Sequence, residues 1–423
     1  MFKIRFLPGQ ILLVALVAAV HAALAMPRAN AQEPAKTIVI DFGRELGRVE
    51  PRTGFLGGLR DATPDALIQP LHPALWRIGH QFRGRIATGL PGAIDRVQQL
   101  GAAYKLVMSD LIGDKPKDYA AYEIAVKKLV AQVGTNASRI IWEPVNEPDV
   151  SHKPITGYYE LYAHAFKALR EADPQAQICG PGFAFPNYTK YREFLDYCRS
   201  QHLECNFLAW HYTGWDPAAP EKQKWQLGRL RELQTEYPDQ KIREIHCDEW
   251  GAGPDKPGRL QPGRAVVWFH YLENVYRVDR ACRANWGKED DYLGGIITTT
   301  GEPLPVYHAY RYYGSTKGQT RVVSEGNDNV IAALGSKMRD RYEILLGSIA
   351  KTPANVTLDL KGLAMNSPKL EVRFVPATNL DVPLTAGNIP LVTNYTTEHP
   401  DGGLRITLRR VGENQAYQIL LSP

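Results

Sequence analysis

The sequence predicts an α/β protein: a (β/α)8 barrel followed by a small antiparallel β-sandwich. Three observations carry this. Between about residues 54 and 314, short apolar runs alternate with amphipathic helical stretches, eight times over. Two of those runs end in a glutamate, at Glu147 and Glu249, and about 100 residues lie between them, room for three strand–helix units. Beyond about residue 317 helical spacing gives way to short alternating runs separated by turn residues.

The elements follow in order. Residues 54–58 read as the first barrel strand, 75–79 as the second and 104–109 as the third, with a helix over 93–100 between the last two. A helix over 119–133 leads to strand four, 139–145, which carries Glu147 at its tip. Helix 158–171, strand five at 177–180, helix 191–201 and strand six at 206–210 come next. Helix 225–235 precedes strand seven, 242–247, with Glu249 at its tip. Helix 264–279, strand eight at 281–286 and a closing helix from Pro305, proline suiting a first helical turn, complete the barrel. In such a barrel the active site lies at the C-terminal strand ends, where both glutamates fall.

The second unit reads as strands at 330–334, 342–349, 356–360, 370–375, 404–408 and 417–421. Turns are expected at Met338-Arg339-Asp340 and Asp401-Gly402-Gly403. Residues 37–42 form another strand, which can join this sandwich because chain ends often lie close.

The start of the chain is patterned for export. Lys3 and Arg5, an apolar run over 11–25, and the patterns Ala23-Leu24-Ala25 and Ala29-Asn30-Ala31 predict a signal peptide over 1–31 and a mature start near Gln32. At about 15 residues the run is short of the roughly 20 that a span needs, a retained anchor being the other reading. The expected location is periplasmic or secreted, with no membrane span in the mature form. The expected division is therefore 1–31 signal, 32–53 N-terminal segment, 54–317 barrel and 318–423 sandwich.

Removing Lys3, Arg5 and Arg28 with the signal lowers the net charge from +5 to about +2, and no basic run or stripe argues for nucleic acid. Of the five cysteines, Cys198 and Cys205 flank a helix end and the next strand, where a local disulfide is plausible after export. Cys179, Cys247 and Cys282 read as buried thiols.

The two glutamate runs are Trp142-Glu143-Pro144-Val145-Asn146-Glu147-Pro148 and Glu244-Ile245-His246-Cys247-Asp248-Glu249-Trp250-Gly251. Two carboxyl groups facing each other across a cleft can cut a glycosidic bond: one protonates the leaving oxygen, the other attacks the anomeric carbon. The alternative is two unrelated acidic strand ends. His246, Cys247, Asp248 and Glu249 look superficially like metal ligands, but adjacent strand residues alternate faces, so no metal and no cofactor is expected.

At these residues the chain resembles the retaining glycoside hydrolases of clan A, and most of all glycoside hydrolase family 39, which holds β-xylosidases, α-L-iduronidases and some exopolysaccharide-cleaving enzymes. The resemblance runs from about residue 54 to the C-terminus. Asn146-Glu147-Pro148 matches the family's acid/base motif and Glu249-Trp250 its nucleophile motif. Glu143, His211, Trp286, Gly294-Gly295 and Pro305-Val306-Tyr307-His308-Ala309 match further family features. The resemblance implies Glu147 as acid/base and Glu249 as nucleophile.

Val145 stands where the family's xylosidases usually have Trp, and Asp248 where they usually have Thr. Arg77 matches a strand-two arginine, but the histidine expected two positions later is Gly79, with His80 one place on; Tyr212 sits one position early. These positions line the subsite for the cleaved sugar, so the resemblance does not carry the sugar's identity.

Each remaining candidate has a structural alternative. Asn146 can bond a sugar hydroxyl or simply close a turn. Arg77 can hold the nucleophile's charge or be a buried structural arginine. His211 and Tyr212 can orient Glu249. Trp250 and Trp286, and more weakly Trp215, can be sugar platforms or core, and Glu143 points into the barrel with or without touching sugar. The expected pattern is thus a monomeric retaining O-glycosidase acting on a polysaccharide or oligosaccharide. Short loops after the strands favour endo action in an open groove. An exo-acting β-xylosidase or arabinose-releasing enzyme is the alternative, a non-catalytic carbohydrate-binding barrel the second class, and a structural module of exopolysaccharide export the third.

Overall fold

A computed structural model describes residues 35–57, 59–61, 63–79, 86–212, 219–251, 260–284, 292–365, 368–400 and 403–423. The expected signal segment lies outside these residues. The described chain opens with a long strand, β1 (Ala35–Arg48), and then builds a closed parallel barrel from β2 (Thr53–Leu56), β3 (Leu75–Ile78), β4 (Ala103–Val107), β5 (Ile140–Glu143), β6 (Gln177–Phe183), β7 (Phe207–Tyr212), β8 (Glu244–Trp250) and β9 (Arg280–Arg283). Closure comes from β2 pairing with β9, Gly54 opposite Cys282. The eight-stranded barrel is as predicted; Asn285 and Trp286 of the expected strand eight lie outside the described residues.

Apolar residues facing away from the barrel axis meet the surrounding helices in one core. It holds Trp76, Trp142, Trp210 and Trp250 from the strands and Tyr158, Tyr162, Phe194, Trp268 and Phe269 from the helices. Helix Tyr119–Val133 has the expected bounds, and the Asp118 carboxylate caps it by accepting the Ala120 N–H. Two helices differ from expectation. The stretch read as 225–235 is split into Ala219–Gly228 and Leu230–Glu236 at a glycine, a poor helix former. The stretch read as 264–279 is helical over Pro262–His270 and then makes a π turn, Tyr271–Val275.

The second unit comprises β10 (Thr320–Glu325), β11 (Ile331–Met338), β12 (Arg341–Ser348), β13 (Ala354–Lys361), β14 (Lys369–Val375), β15 (Tyr395–Glu398), β16 (Leu404–Val411) and β17 (Ala416–Ser422). With β1 they form a nine-stranded sheet in the order β14-β17-β12-β11-β10-β1-β13-β16-β15. The sheet wraps around its own core, Phe42 of β1 meeting Tyr342 of β12 edge-on at 4.7 Å. It is mixed rather than wholly antiparallel. β1 arrives from the other end of the chain and pairs parallel with β13 while pairing antiparallel with β10. β10 and β15 had no counterpart in the sequence reading. The turn at Arg339-Asp340 is present, with Arg339 left-handed at φ 55°; Asp401 and Gly402 lie outside the described residues.

The sheet packs on the barrel through helix Pro262–His270, whose Gly263 N–H donates to the Asn414 carbonyl at 2.8 Å. Glu273, in the π turn, accepts two bonds from Arg321 of β10 at 2.9 and 3.0 Å. The expected Cys198–Cys205 disulfide is not formed: all five cysteines are free and buried. The Cys205 thiol instead donates to the Phe207 carbonyl at 3.1 Å. No helix among the described residues is long and apolar enough to cross a membrane.

Candidate active site

Arg77, on β3, is the hub of the barrel mouth. Its guanidinium donates a fork to Glu143, 2.7 Å from Nε and 2.7 Å from one terminal nitrogen. It also donates to Glu249 at 2.8 Å and to the Asn146 side-chain oxygen at 2.7 Å. Arg77, Glu143 and Glu249 are buried and Asn146 half-buried; a planar cation with five donors suits such a nest of acceptors. Burial pushes the Glu143 carboxyl up, against the pull of Arg77.

Glu147 follows the last residue of β5 by four positions and caps the short helix Pro148–Ser151 in a left-handed conformation, φ 47° and ψ 59°. A β-unbranched L-residue held there is mildly strained, and such strain collects at functional sites. Asn146 ties the loop down by donating its backbone N–H to the Ser109 hydroxyl at 3.1 Å.

Glu249 reaches the same mouth through an irregularity in β8. Against β7, Cys247 pairs with Trp210 but Glu249 pairs with His211, leaving Asp248 as an extra residue. This β-bulge turns Asp248 and Glu249 both inward, while Cys247 and Trp250 face the helices. The alternation expected along this strand therefore fails at one point, and Asp248 and Glu249 share the interior. Asp248 accepts from Lys105 of β4 through both oxygens, at 2.8 and 2.7 Å. Burial alone would push the Asp248 carboxyl up; Lys105, Arg77 and His246 pull it down to about 2.

His211 joins the two glutamates. Its Nδ1 lies 2.9 Å from a Glu147 oxygen and 3.6 Å from a Glu249 oxygen. Burial draws the imidazole down, but the Glu249 charge and the bond to Glu147 outweigh it and hold it above its ordinary value. That bond in turn holds the Glu147 carboxyl below its ordinary value, against burial. A carboxylate neighbour alone would raise the Glu147 acid; the imidazole on its oxygen reverses the direction in the free protein. Glu147 is the more open of the pair, its side chain 31 % exposed against 6 % for Glu249.

Among the described residues two groups offer atoms close enough to share an ion, Glu143–His211–Asp248 and Glu147–His211–Glu249, each set lying within 4.8 Å. Both sets surround the Arg77 cation, with Lys105 beside the first.

Two aromatic candidates lie elsewhere. Trp250 is buried between barrel and helices, against Trp268 at 5.6 Å, and Tyr212 packs on the same Trp268 at 5.5 Å. The bulge dictates this: with Glu249 inward, Trp250 must face out. Trp250, buried in this way, is core rather than a platform for sugar; Tyr212 is half-buried beside it. Trp286, Trp215 and His80 lie outside the described residues. Sequence reasoning passed over Lys105 and Gly182. A lysine inside the apolar run Tyr104-Lys105-Leu106-Val107 was the available signal. Gly182 leaves room for the mouth: a Cβ there would lie 2.9 Å from Glu143 and 3.2 Å from His211 Nε2.

Closed barrel and wrapped sheet define a fold class, one shared with solved glycoside hydrolases of families 39, 30 and 51. Within it, the sequence profile of Glycosyl hydrolases family 39 matches residues 113–268, a stretch that includes Glu147, His211 and Glu249. A beta-xylosidase of Caldicellulosiruptor saccharolyticus is 22% identical over 266 residues, 55% of this chain and 53% of that protein. The chain thus spans about half the length of the curated relative it matches. Among solved structures, a protein from Neocallimastix frontalis superposes with a TM-score of 0.78 at 17% identity, over 92% of this chain and 99% of that one. A glucosidase from Croceicoccus marinus does so at 0.68 and 17%, over 93% and 100%.

Proposed function

We propose that the protein is a retaining O-glycoside hydrolase working by double displacement, with Glu249 as nucleophile and Glu147 as acid/base. The observation that carries this is the meeting of both carboxylates on His211, their oxygens within 4.8 Å of each other. Retaining enzymes keep their carboxyl groups about 5–5.5 Å apart, inverting ones about 6.5–9.5 Å. Glu147 gives its proton to the glycosidic oxygen as a Glu249 oxygen bonds the anomeric carbon and the alcohol leaves. Water then bonds that carbon, passing a proton to Glu147, and Glu249 departs as carboxylate. Arg77 holds one Glu249 oxygen at 2.8 Å, which aims the attacking group. His211 Nδ1 lies 2.9 Å from Glu147, within reach to exchange a proton with it.

The substrate is a polysaccharide or exopolysaccharide cleaved internally, outside the cytoplasm, after removal of residues 1–31. Short loops after the strands and the export-patterned start support this reading. The second reading, an exo-acting β-xylosidase or arabinose-releasing enzyme, is favoured by the name of the 22% identical relative. A panel of polysaccharides and aryl glycosides with product sizing separates them: falling chain length at little free sugar supports endo action, monosaccharide release from the start supports exo. A Glu249→Ala variant should lose all turnover, and a 2-fluoro glycoside of the cleaved sugar should label Glu249, read by mass spectrometry of a digest. Label on Glu244 or Asp248 overturns the assignment.

A further inference from the structure

We infer that Lys105 and Asp248 are positioning residues: their ion pair, strung across the barrel interior, pins the bulge that delivers Glu249 to the site. The inference rests on the proposed role of Glu249 as nucleophile.

In a regular strand, with Cys247 facing the helices, Asp248 would face in, Glu249 out and Trp250 in. The bulge resets that order. It is present against both neighbours: along β7 the pairing steps from Trp210↔Cys247 to His211↔Glu249, and along β9 from Cys247↔Ala281 to Trp250↔Arg283. One residue is surplus each time; against β7 it is Asp248, and against β9 Asp248 and Glu249 together stand opposite Cys282. Removing the surplus would send Glu249 into the helix layer, where Trp250 now packs on Trp268.

A surplus residue stays inward only if its side chain is held there. Both Asp248 oxygens take bonds from Lys105, and Lys105 and Asp248 are each fully buried. Lys105 is on the third barrel strand and Asp248 on the seventh, on opposite sides of the ring. The pair therefore acts as a strut, and the carboxylate it seats is covalently adjacent to Glu249.

The charges facing Glu249 and Asp248 come from five strands. β3 supplies Arg77, β4 Lys105, β5 and its loop Glu143 and Glu147, β7 His211, and β8 itself His246. Arg283 on β9 is bonded to the Gly294 carbonyl and the Tyr310 hydroxyl, and the buried thiols of Cys179, Cys247 and Cys282 stay neutral, burial holding each well up. The buried carboxylates Glu143, Asp248 and Glu249 face the cations Arg77 and Lys105. Removing Lys105 takes a cation from this cluster and removing the Asp248 charge takes an anion, so the two changes push the acid limb of the pH–rate profile in opposite directions.

The test uses the full chain with an activated aryl glycoside of the cleaved sugar and the matching 2-fluoro label. Lys105→Met should move the acid limb to higher pH, Asp248→Asn to lower pH, each with kcat down about 100-fold and KM little changed. The double variant Lys105→Met/Asp248→Leu restores charge balance with apolar groups but not the strut. It should fold, return the acid limb towards the wild-type position, and keep the slow labelling rate and low kcat. If a single variant does not fold, the double variant alone decides. Full recovery of kcat in the double variant, or single variants whose limbs do not move apart, overturns the inference. Wild-type protein that is not labelled on Glu249 overturns the underlying reading instead.

Discussion

At Gly182 a single methyl group is enough to disturb the site. Its Cβ would press on Glu143 and on His211. Glu143 cannot retreat, being forked to Arg77, so the imidazole must move off Glu147. Gly182→Ala should lower kcat/KM about 100-fold with the circular dichroism spectrum unchanged; near-wild-type activity would show that His211 is not needed where it stands. The His211–Glu147 pair also makes stability depend on pH. Glu147 is depressed, so its contribution is present above the unfolded value of about 4.3 and is lost as pH falls through the folded one. His211 is raised, so its contribution is present below about 6.5 and is lost as pH rises through the folded value. Wild type should therefore exceed His211→Gln in Tm most at mildly acidic pH, the gap closing in both directions; a gap constant from pH 4 to about 9 would count against the pair.

Among the elements, helix Pro262–His270 joins the two units closely because Gly263 lets its backbone approach the sheet. An added Cβ at Gly263 would sit 2.3 Å from the Ser348 carbonyl oxygen and 2.4 Å from that of Gln415, backbone atoms that cannot swing aside. Gly263→Ala should cost about 3 kcal/mol in denaturant unfolding. The π turn that follows presents Glu273 to Arg321, both about 7 % exposed, and to the Tyr313 hydroxyl at 2.5 Å. Arg321→Met leaves that carboxylate buried with the tyrosine but no cation, and should destabilise by about 3–5 kcal/mol. The sequence reads this region as one helix to residue 279, since its apolar spacing continues. The α-helix ends at His270 and a π turn follows, presenting Glu273 to Arg321 on another element, a contact that helical periodicity does not report.

For the molecule as a whole, barrel and sheet share a core. The large cluster around the barrel includes Ala332, Leu334, Leu345, Val375 and Ala416 from the sheet. A single calorimetric unfolding transition is therefore expected, and two separated transitions would contradict it. β1 lies in the middle of the sheet, between β10 and β13. A chain lacking residues 1–48 should expose two unpaired strand edges and aggregate, as size-exclusion chromatography would show, whereas loss of an edge strand would be tolerated.

The sequence by itself determined the eightfold strand–helix alternation, the position of Glu147 and Glu249 at strand ends, and the change of texture after the barrel. Each is written in local spacing, with periods of 3.6 and 2 that one stretch of chain displays unaided. The tertiary structure decided the rest. Lys105 and Asp248 are 143 residues apart, and neither strand alone shows that one residue of β8 will be surplus to its neighbours. That surplus put Glu249 inside and Trp250 outside, so a tryptophan matching a sugar platform by motif became core. Parallel pairing of β1 with β13 and the free thiols of Cys198 and Cys205 were likewise settled by what each group met on folding. Register, bulges and ion pairs are properties of pairs of segments, and a pair exists only once the chain has brought its two halves together.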